Sequence, residues 1–170
     1  MPTEIERKYL VKSNNWKKGL TEADSSFIQQ GYLNTDPDRV VRVRVRDSKA
    51  CLTIKSRATG ITRSEFEYSI PVKDAQELLG MCLGNVLIKR RYEVEYNGNT
   101  WEVDEFLGKN QGLILAEIEL KSEDQTFEAP EWIGKEVTKD MTYTNLALAF
   151  GMENGEWRME NAEWRMENGE

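Results

Sequence analysis

Apolar and charged side chains alternate along most of this chain with a period of two, the spacing at which residues i, i+2 and i+4 share one face of a β-strand. The opening run "EIERKYL" puts Glu4, Glu6 and Lys8 on one side and Ile5, Arg7 and Tyr9 on the other. "VVRVRVR" sets Arg42, Arg44 and Arg46 against Val41, Val43 and Val45, and "CLTIKSR" sets Thr53, Lys55 and Arg57 against Leu52 and Ile54. In "EFEYSI" Glu65 and Glu67 oppose Phe66 and Tyr68, and in "LIKRRYEVEY" Lys89, Arg91, Glu93 and Glu95 share a parity. "WEVDEF" opposes Glu102 and Asp104 to Trp101 and Val103, and "LAEIELK" opposes Glu117, Glu119 and Lys121 to Ile118 and Leu120. With "FIQQGYL" at 27–33, the pattern predicts eight strands. Turn signals fall between them ("DSKA", "ATG", "NGN", "GKNQG"), so neighbours are expected to pair antiparallel. Asp74 and Glu77 read as a capping box for a helix with Ala75, Leu78, Leu79 and Cys82 on its apolar side. A second short helix is expected from about Tyr143 to Phe150, stopped by Gly151.

The charged parities are also sorted by sign. Arg42, Arg44 and Arg46 are basic, as are Lys89 and Arg91, whereas Glu4/Glu6, Glu65/Glu67, Glu102/Asp104 and Glu117/Glu119 are acidic pairs. Like charges two residues apart on a strand lie about 7 Å from each other. At an effective dielectric near 20 each such pair costs about 2 kcal/mol, less where water screens it. A multivalent anion beside the basic set and a cation beside the acidic set would offset both. Solvent-facing surfaces intersperse signs, so the sorting favours eight antiparallel strands closed into a barrel, charged parities inward around one cavity and apolar parities outward. Helices and a second copy of the chain, a homodimer, are then available to cover the outside. The competing arrangement is a sandwich with its charged face in water.

Composition narrows the chemistry. The 170 residues are 39% hydrophobic and 31% charged, which suits one domain with a real core. No apolar run approaches a membrane span, and the amino terminus is acidic where a secretory signal is basic and then apolar. A cytoplasmic protein without membrane contact is expected. Cys51 and Cys82 are too few for a disulfide framework and are not spaced as metal ligands, so both read as reduced thiols. The chain has no histidine, which removes Ser-His-Asp and Cys-His chemistry and leaves carboxylates, Lys, Arg and Tyr for catalysis. A metal here should be a hard, oxygen-seeking one. With a net charge of −7 and the arginines enclosed, nucleic acid is not an expected partner. Residues 152–170 form an acidic seven-residue repeat ("MENGEWR", "MENAEWR", "MENGE") whose Met and Trp stripes do not merge into one helical seam. They read as an appendage, a marginal helix or disorder without an assigned role, on a domain spanning 1–151.

On these motifs the chain resembles the CYTH superfamily, the triphosphate tunnel metalloenzymes, over nearly the whole of 1–151. "EIERK" matches that family's Glu-x-Glu-x-Lys signature, and "RVR", "TIK", "EFE", "KRR", "VDEF" and "EIEL" follow in the family's order. The resemblance implies a mainly β fold, an eight-stranded closed antiparallel tunnel with a few peripheral helices. It implies a triphosphate held on a basic wall by Arg42, Arg44, Lys55, Lys89 and Arg91, with Arg57 and Arg63 as further candidates. It implies Mg²⁺ or Mn²⁺ on an acidic wall of Glu4, Glu6, Glu117 and Glu119, with Glu65, Glu67 and Asp104 supporting a second metal or ordering water. As in short bacterial members, Tyr32 of "QGY" is expected to pair with Lys8 and help orient the attacking water.

The activity implied is removal of the terminal phosphate of a triphosphate, with inorganic tripolyphosphate going to pyrophosphate and phosphate. Phosphoryl transfer asks a protein mainly for charge neutralisation and in-line positioning, which Arg/Lys clamps and a divalent metal supply. The alternatives are an adenylyl cyclase, a thiamine or nucleoside triphosphatase, and a non-catalytic polyphosphate-binding module. The sequence offers no base-binding motif for the first. The last has no need of Glu4, Glu6, Glu117 and Glu119 together.

Overall fold

The computed structural model describes residues 3–151, and the period-two alternation appears there as nine strands. They are β1 (Thr3–Val11), β2 (Ser26–Tyr32), β3 (Arg39–Arg46), β4 (Lys49–Ser56), β5 (Thr62–Ile70), β6 (Leu83–Tyr96), β7 (Asn99–Leu107), β8 (Ile114–Glu119) and β9 (Ile133–Glu136). The first eight close on themselves in the order β5-β4-β3-β2-β6-β7-β8-β1, with β1 returning to β5, and β9 is added to β1. Every neighbour pair is antiparallel, as the short turns require. Asn97 and Gly98, both at positive φ (46° and 80°), form the tight reversal between β6 and β7. Closure is narrow. β1 meets β5 only through Thr3↔Ser64, Glu4↔Arg63 and Ile5↔Thr62, and its later residues Tyr9 and Val11 pair with β9 instead.

Apolar burial lies largely outside the ring, which is the inverse of an ordinary small barrel and follows from the inward turn of the charged parities. Ile5, Tyr9, Tyr92, Trp101, Val103, Ala116 and Ile118 pack on the outer face of β1, β6, β7 and β8 under Trp16 and Trp132. Val43, Val45 and Ala50 carry a helix, α1 (Val72–Gly80), through Ala75. At one end of the barrel Tyr32, Leu87, Phe106 and Leu115 receive a second helix, α2 (Asn145–Phe150), through Ala147, Leu148 and Ala149. Gly84 makes that docking close: it sits at φ 64°, and a Cβ there would lie 2.6 Å from the Ala149 carbonyl oxygen. On the outer face of β4 and β5, Ile54, Phe66 and Tyr68 remain exposed.

Three local expectations change. Asp74 and Glu77 do not form a capping box: α1 begins one turn earlier, with Pro71 at the N-cap and the Pro71 carbonyl accepting from Ala75 N at 3.0 Å. Proline has no side-chain acceptor, and Asp74 instead sits in the first turn, where its charge suits the helix dipole. The helix expected from Tyr143 is split into a 3₁₀ turn (Met141–Tyr143) and α2, because Thr144 caps α2 by accepting from Ala147 N at 3.1 Å. Gly151 ends it in an extended rather than left-handed conformation. The ninth strand is four residues of β1 edge pairing without a long alternation to announce it. No helix among the described residues is long and apolar enough to cross a membrane. The repeat at 152–170 lies outside the described residues.

Candidate active site

A cavity of about 270 Å³ opens into the barrel, and eight of the expected site residues line it: Glu4, Glu6, Lys8, Tyr32, Arg42, Lys55, Arg57 and Arg63. They come from β1, β2, β3, β4, β5 and the β4–β5 turn, so no short stretch of chain could assemble it. Behind it the barrel interior holds Arg44, Lys89, Arg91, Asp104 and Glu117 from β3, β6, β7 and β8.

The acidic side is built from two carboxylate pairs. Glu4 accepts from Lys55 Nζ at 3.0 and 3.2 Å and is hydrogen-bonded to Glu65. Burial and that shared hydrogen bond push the Glu65 carboxyl up to about 7, while Lys55 and Glu65 outweigh burial at Glu4 and hold it below its ordinary value. Glu6 and Glu117 form the second pair. Burial, then the charges of Glu117 and Glu4, raise Glu6 well above the usual carboxylate range. Against its own burial, Glu117 is drawn down to about 2 by Lys8 and Arg91. In each pair one carboxyl is held low and its neighbour raised, because two carboxylates in contact disfavour double ionisation.

The basic side is partly held by protein acceptors and partly open. Arg44 gives both Nε and Nη2 to Gln30 Oε1, at 3.0 and 2.9 Å, and burial with the charges of Arg42 and Arg91 lowers it to about 10. Arg42 donates from Nη2 to Thr53 Oγ1 at 3.2 Å, and its buried Nε has no partner. Lys89 and Arg91 converge on Asp104, with Lys89 Nζ at 2.7 Å and Arg91 Nε and Nη2 at 2.7 and 2.8 Å. Lys89 is fully buried, which lowers its ammonium to about 7 despite Asp104. Asp104, though buried, is held far below the ordinary carboxylate range by Arg91 and Lys89.

Lys8 faces Glu117 at 3.5 Å and donates to the Tyr143 carbonyl at 3.1 Å. The Tyr32 hydroxyl lies 3.4 Å from Gln30 Nε2. Lys8 and Tyr32 share the cavity and feel each other electrostatically, but no hydrogen bond joins them among the described residues. Other expected site residues lie in varied surroundings. Asp104 is the acceptor for Lys89 and Arg91, since β7 places it directly opposite Arg91, and its charge is also felt by Glu102 and Glu117. Glu67 and Glu119 keep the inward parity but are exposed, Glu119 opposite Glu6 across the β1–β8 pairing. Arg57 pairs with Asp38 at the half-exposed rim.

Sequence reasoning missed the contribution of 138–146. Thr138, Lys139, Met141, Thr144, Asn145 and Leu146 all line the cavity, and Asn145 Oδ1 accepts from Lys89 at 3.3 Å. The stretch shows no charge sorting or alternation; its only signal is the helix start at Thr144. Glu102, which accepts from Arg91 Nη1 at 3.3 Å, was visible in the acidic parity but carried no assigned role.

Among the described residues no three acidic, thiol or imidazole groups are already gathered around one point to hold a metal ion. The donor set nonetheless fits a hard divalent cation. Glu4/Glu65 and Glu6/Glu117 are oxygen ligands whose burial and mutual repulsion raise Glu65 and Glu6, and a cation would relieve the same repulsion.

Residues 2–148 match the CYTH domain. An inorganic triphosphatase of Acetivibrio thermocellus is 48% identical over 146 residues, spanning 85% of this chain and 92% of that protein. An inorganic triphosphatase of Nitrosomonas europaea is 38% identical over 154 residues, spanning 88% and 99%. The crystal structure of the inorganic triphosphatase NE1496 superimposes with a TM-score of 0.64 at 34% identity, covering 91% of this chain and 99% of its own.

Proposed function

This chain belongs to the CYTH domain family, and from that premise we propose that it hydrolyses the terminal phosphate of inorganic tripolyphosphate, releasing pyrophosphate and phosphate. The observation that carries the reading is a single cavity with Arg42, Lys55 and Lys8 facing Glu4 and Glu6. At about 270 Å³ it falls at or below the small end of the roughly 300–1,000 Å³ range of pockets that enclose drug-sized ligands. That size suits a bare phosphate chain better than one carrying a purine or thiamine.

Arg42 and Lys55 bind and orient the phosphate chain. Arg42 does so with a donor already desolvated and unpartnered, so less is lost on binding. Arg44, Lys89 and Arg91 deepen the positive potential behind it, with Gln30 and Asp104 fixing their orientation. Glu4, Glu6, Glu65 and Glu117 would hold the divalent ion, Mg²⁺ or Mn²⁺. When bound, that ion neutralises phosphate oxygens and supports the in-line displacement. Lys8, half-buried, and Tyr32, buried, both line the cavity and orient the attacking water by hydrogen bonding.

The test is phosphate release from tripolyphosphate, ATP, thiamine triphosphate and pyrophosphate, side by side, with Mg²⁺, Mn²⁺ or excess chelator. Tripolyphosphate should turn over fastest, only with metal, and ATP should yield no cyclic AMP. Undiminished hydrolysis in chelator, or a preference for ATP, would overturn the reading.

A further inference from the structure

We propose that Asn145 is a substrate-contacting residue, its side-chain NH₂ donating to a non-bridging phosphate oxygen; the inference rests on the triphosphatase reading above. Asn145 lines the cavity with Lys8, Tyr32 and Arg42. Its amide orientation is dictated by chemistry. In its ammonium form, which the 2.7 Å contact with the Asp104 carboxylate favours, Lys89 Nζ donates to the Asn145 side chain at 3.3 Å, and that makes the facing atom the amide oxygen. Lys89 is fully buried and is not part of the cavity lining, whereas Asn145 is. The oxygen is therefore turned into the barrel wall and the NH₂ toward the cavity, where it has no hydrogen-bond partner among the described residues.

Asn145 is half-buried, so this NH₂ faces the open cavity, and a second donor around it also lacks a protein partner. Arg42 Nε is buried, unpartnered and borne by a residue that lines the same space. Two donors without protein partners, one of them buried, stand on separate elements around one cavity and suit an acceptor-only ligand, such as a phosphate oxygen. Asn145 is well placed to hold it, because α2 is anchored by Ala147, Leu148 and Ala149 against Leu87 and Phe106, and its first turn is capped by Thr144. The neutral amide adds direction to a wall that otherwise binds by charge.

The rival account is that Asn145 only steadies Lys89, and the two accounts order the variants oppositely. Tripolyphosphate binding is measured by calorimetry without metal and KM by phosphate release with it, with melting temperatures in parallel. Asn145→Ala should weaken binding about tenfold, the loss of one hydrogen bond to a charged group. Asn145→Asp should be at least about tenfold worse still, since it turns a carboxylate toward the phosphate while remaining a good partner for Lys89. If Asn145→Asp binds as wild type does, or better than Asn145→Ala, the proposal is wrong. A second comparison does not depend on the Asp variant folding. In a Lys89→Met background, Asn145→Ala should still weaken binding several-fold, and no further loss would show that it acts only through Lys89. Wild-type protein that neither binds nor hydrolyses tripolyphosphate would overturn the triphosphatase reading, and this assignment with it.

Discussion

Asp104 shows how one buried carboxylate can hold two cations in place. Buried and bonded to Lys89 and Arg91 at 2.7–2.8 Å, it lets two cations sit side by side in the barrel interior. Asp104→Asn removes the charge but keeps the shape, leaving Lys89 without its carboxylate partner and Arg91 with Glu102 alone. Breaking a buried pair in this way costs about 3–5 kcal/mol, which in a domain of this size lowers Tm by about 10 °C. Tripolyphosphate without metal should then raise the melting temperature of the variant more than that of wild type, because the anion takes the place of the lost carboxylate. Differential scanning calorimetry of both proteins with and without the anion checks this. An unchanged Tm together with weakened metal binding would instead make Asp104 a metal ligand.

Among the elements, α2 links the packing of the barrel end to the site, since Asn145 and Leu146 line the cavity. Six residues close one end of the barrel, and their position depends on β6 passing beneath them at Gly84. An alanine there meets two penalties at once, a positive φ that disfavours any Cβ and a backbone oxygen 2.6 Å away that cannot rotate aside. Gly84→Ala should cost about 2–3 kcal/mol and should shift α2 outward, withdrawing Asn145 and the Tyr143 carbonyl that holds Lys8. KM for tripolyphosphate should rise together with the fall in Tm. A variant that melts lower while keeping its KM would show that α2 does not position the site.

For the molecule as a whole, the two carboxylate pairs set how stability responds to pH. Glu65 is raised to about 7 from an ordinary value of 4.5, so its contribution is fully present below the unfolded value and is lost as pH rises through about 7. Glu117, held down at about 2, behaves oppositely. Its contribution is present above the unfolded value and is lost as pH falls through the folded one, and Asp104 follows the same sign. Metal-free protein should therefore be most stable in weakly acidic solution, and its Tm should decline between about pH 4.5 and pH 7, the interval over which the unfolded but not the folded Glu65 is ionised. Mg²⁺ should flatten that decline by replacing the shared protons. A Tm profile in chelator that is flat or rising over this window would mean that the pairs do not share protons.

The alternation and its sign sorting determined a great deal by themselves. Eight strands, their inward parity and the two walls follow from period two, because side-chain direction along a strand is a local property of the backbone. Strands whose charged faces repel like neighbours are stable only when they enclose opposite charge. What alternation cannot encode is which inward residues meet across the barrel, since that depends on register and on where the chain ends a strand. Register set Asp104 against Arg91 and left Glu67 and Glu119 at an exposed mouth, although their parity is that of Glu4 and Glu6. The closing segment 138–146 was illegible for a related reason. It reaches the cavity from a turn and a six-residue helix whose placement depends on contacts with β2 and β6 more than fifty residues away. Only the tertiary structure brings Asn145 to Lys89, because that proximity arises from the packing of α2 on the barrel end and from nothing in its local sequence.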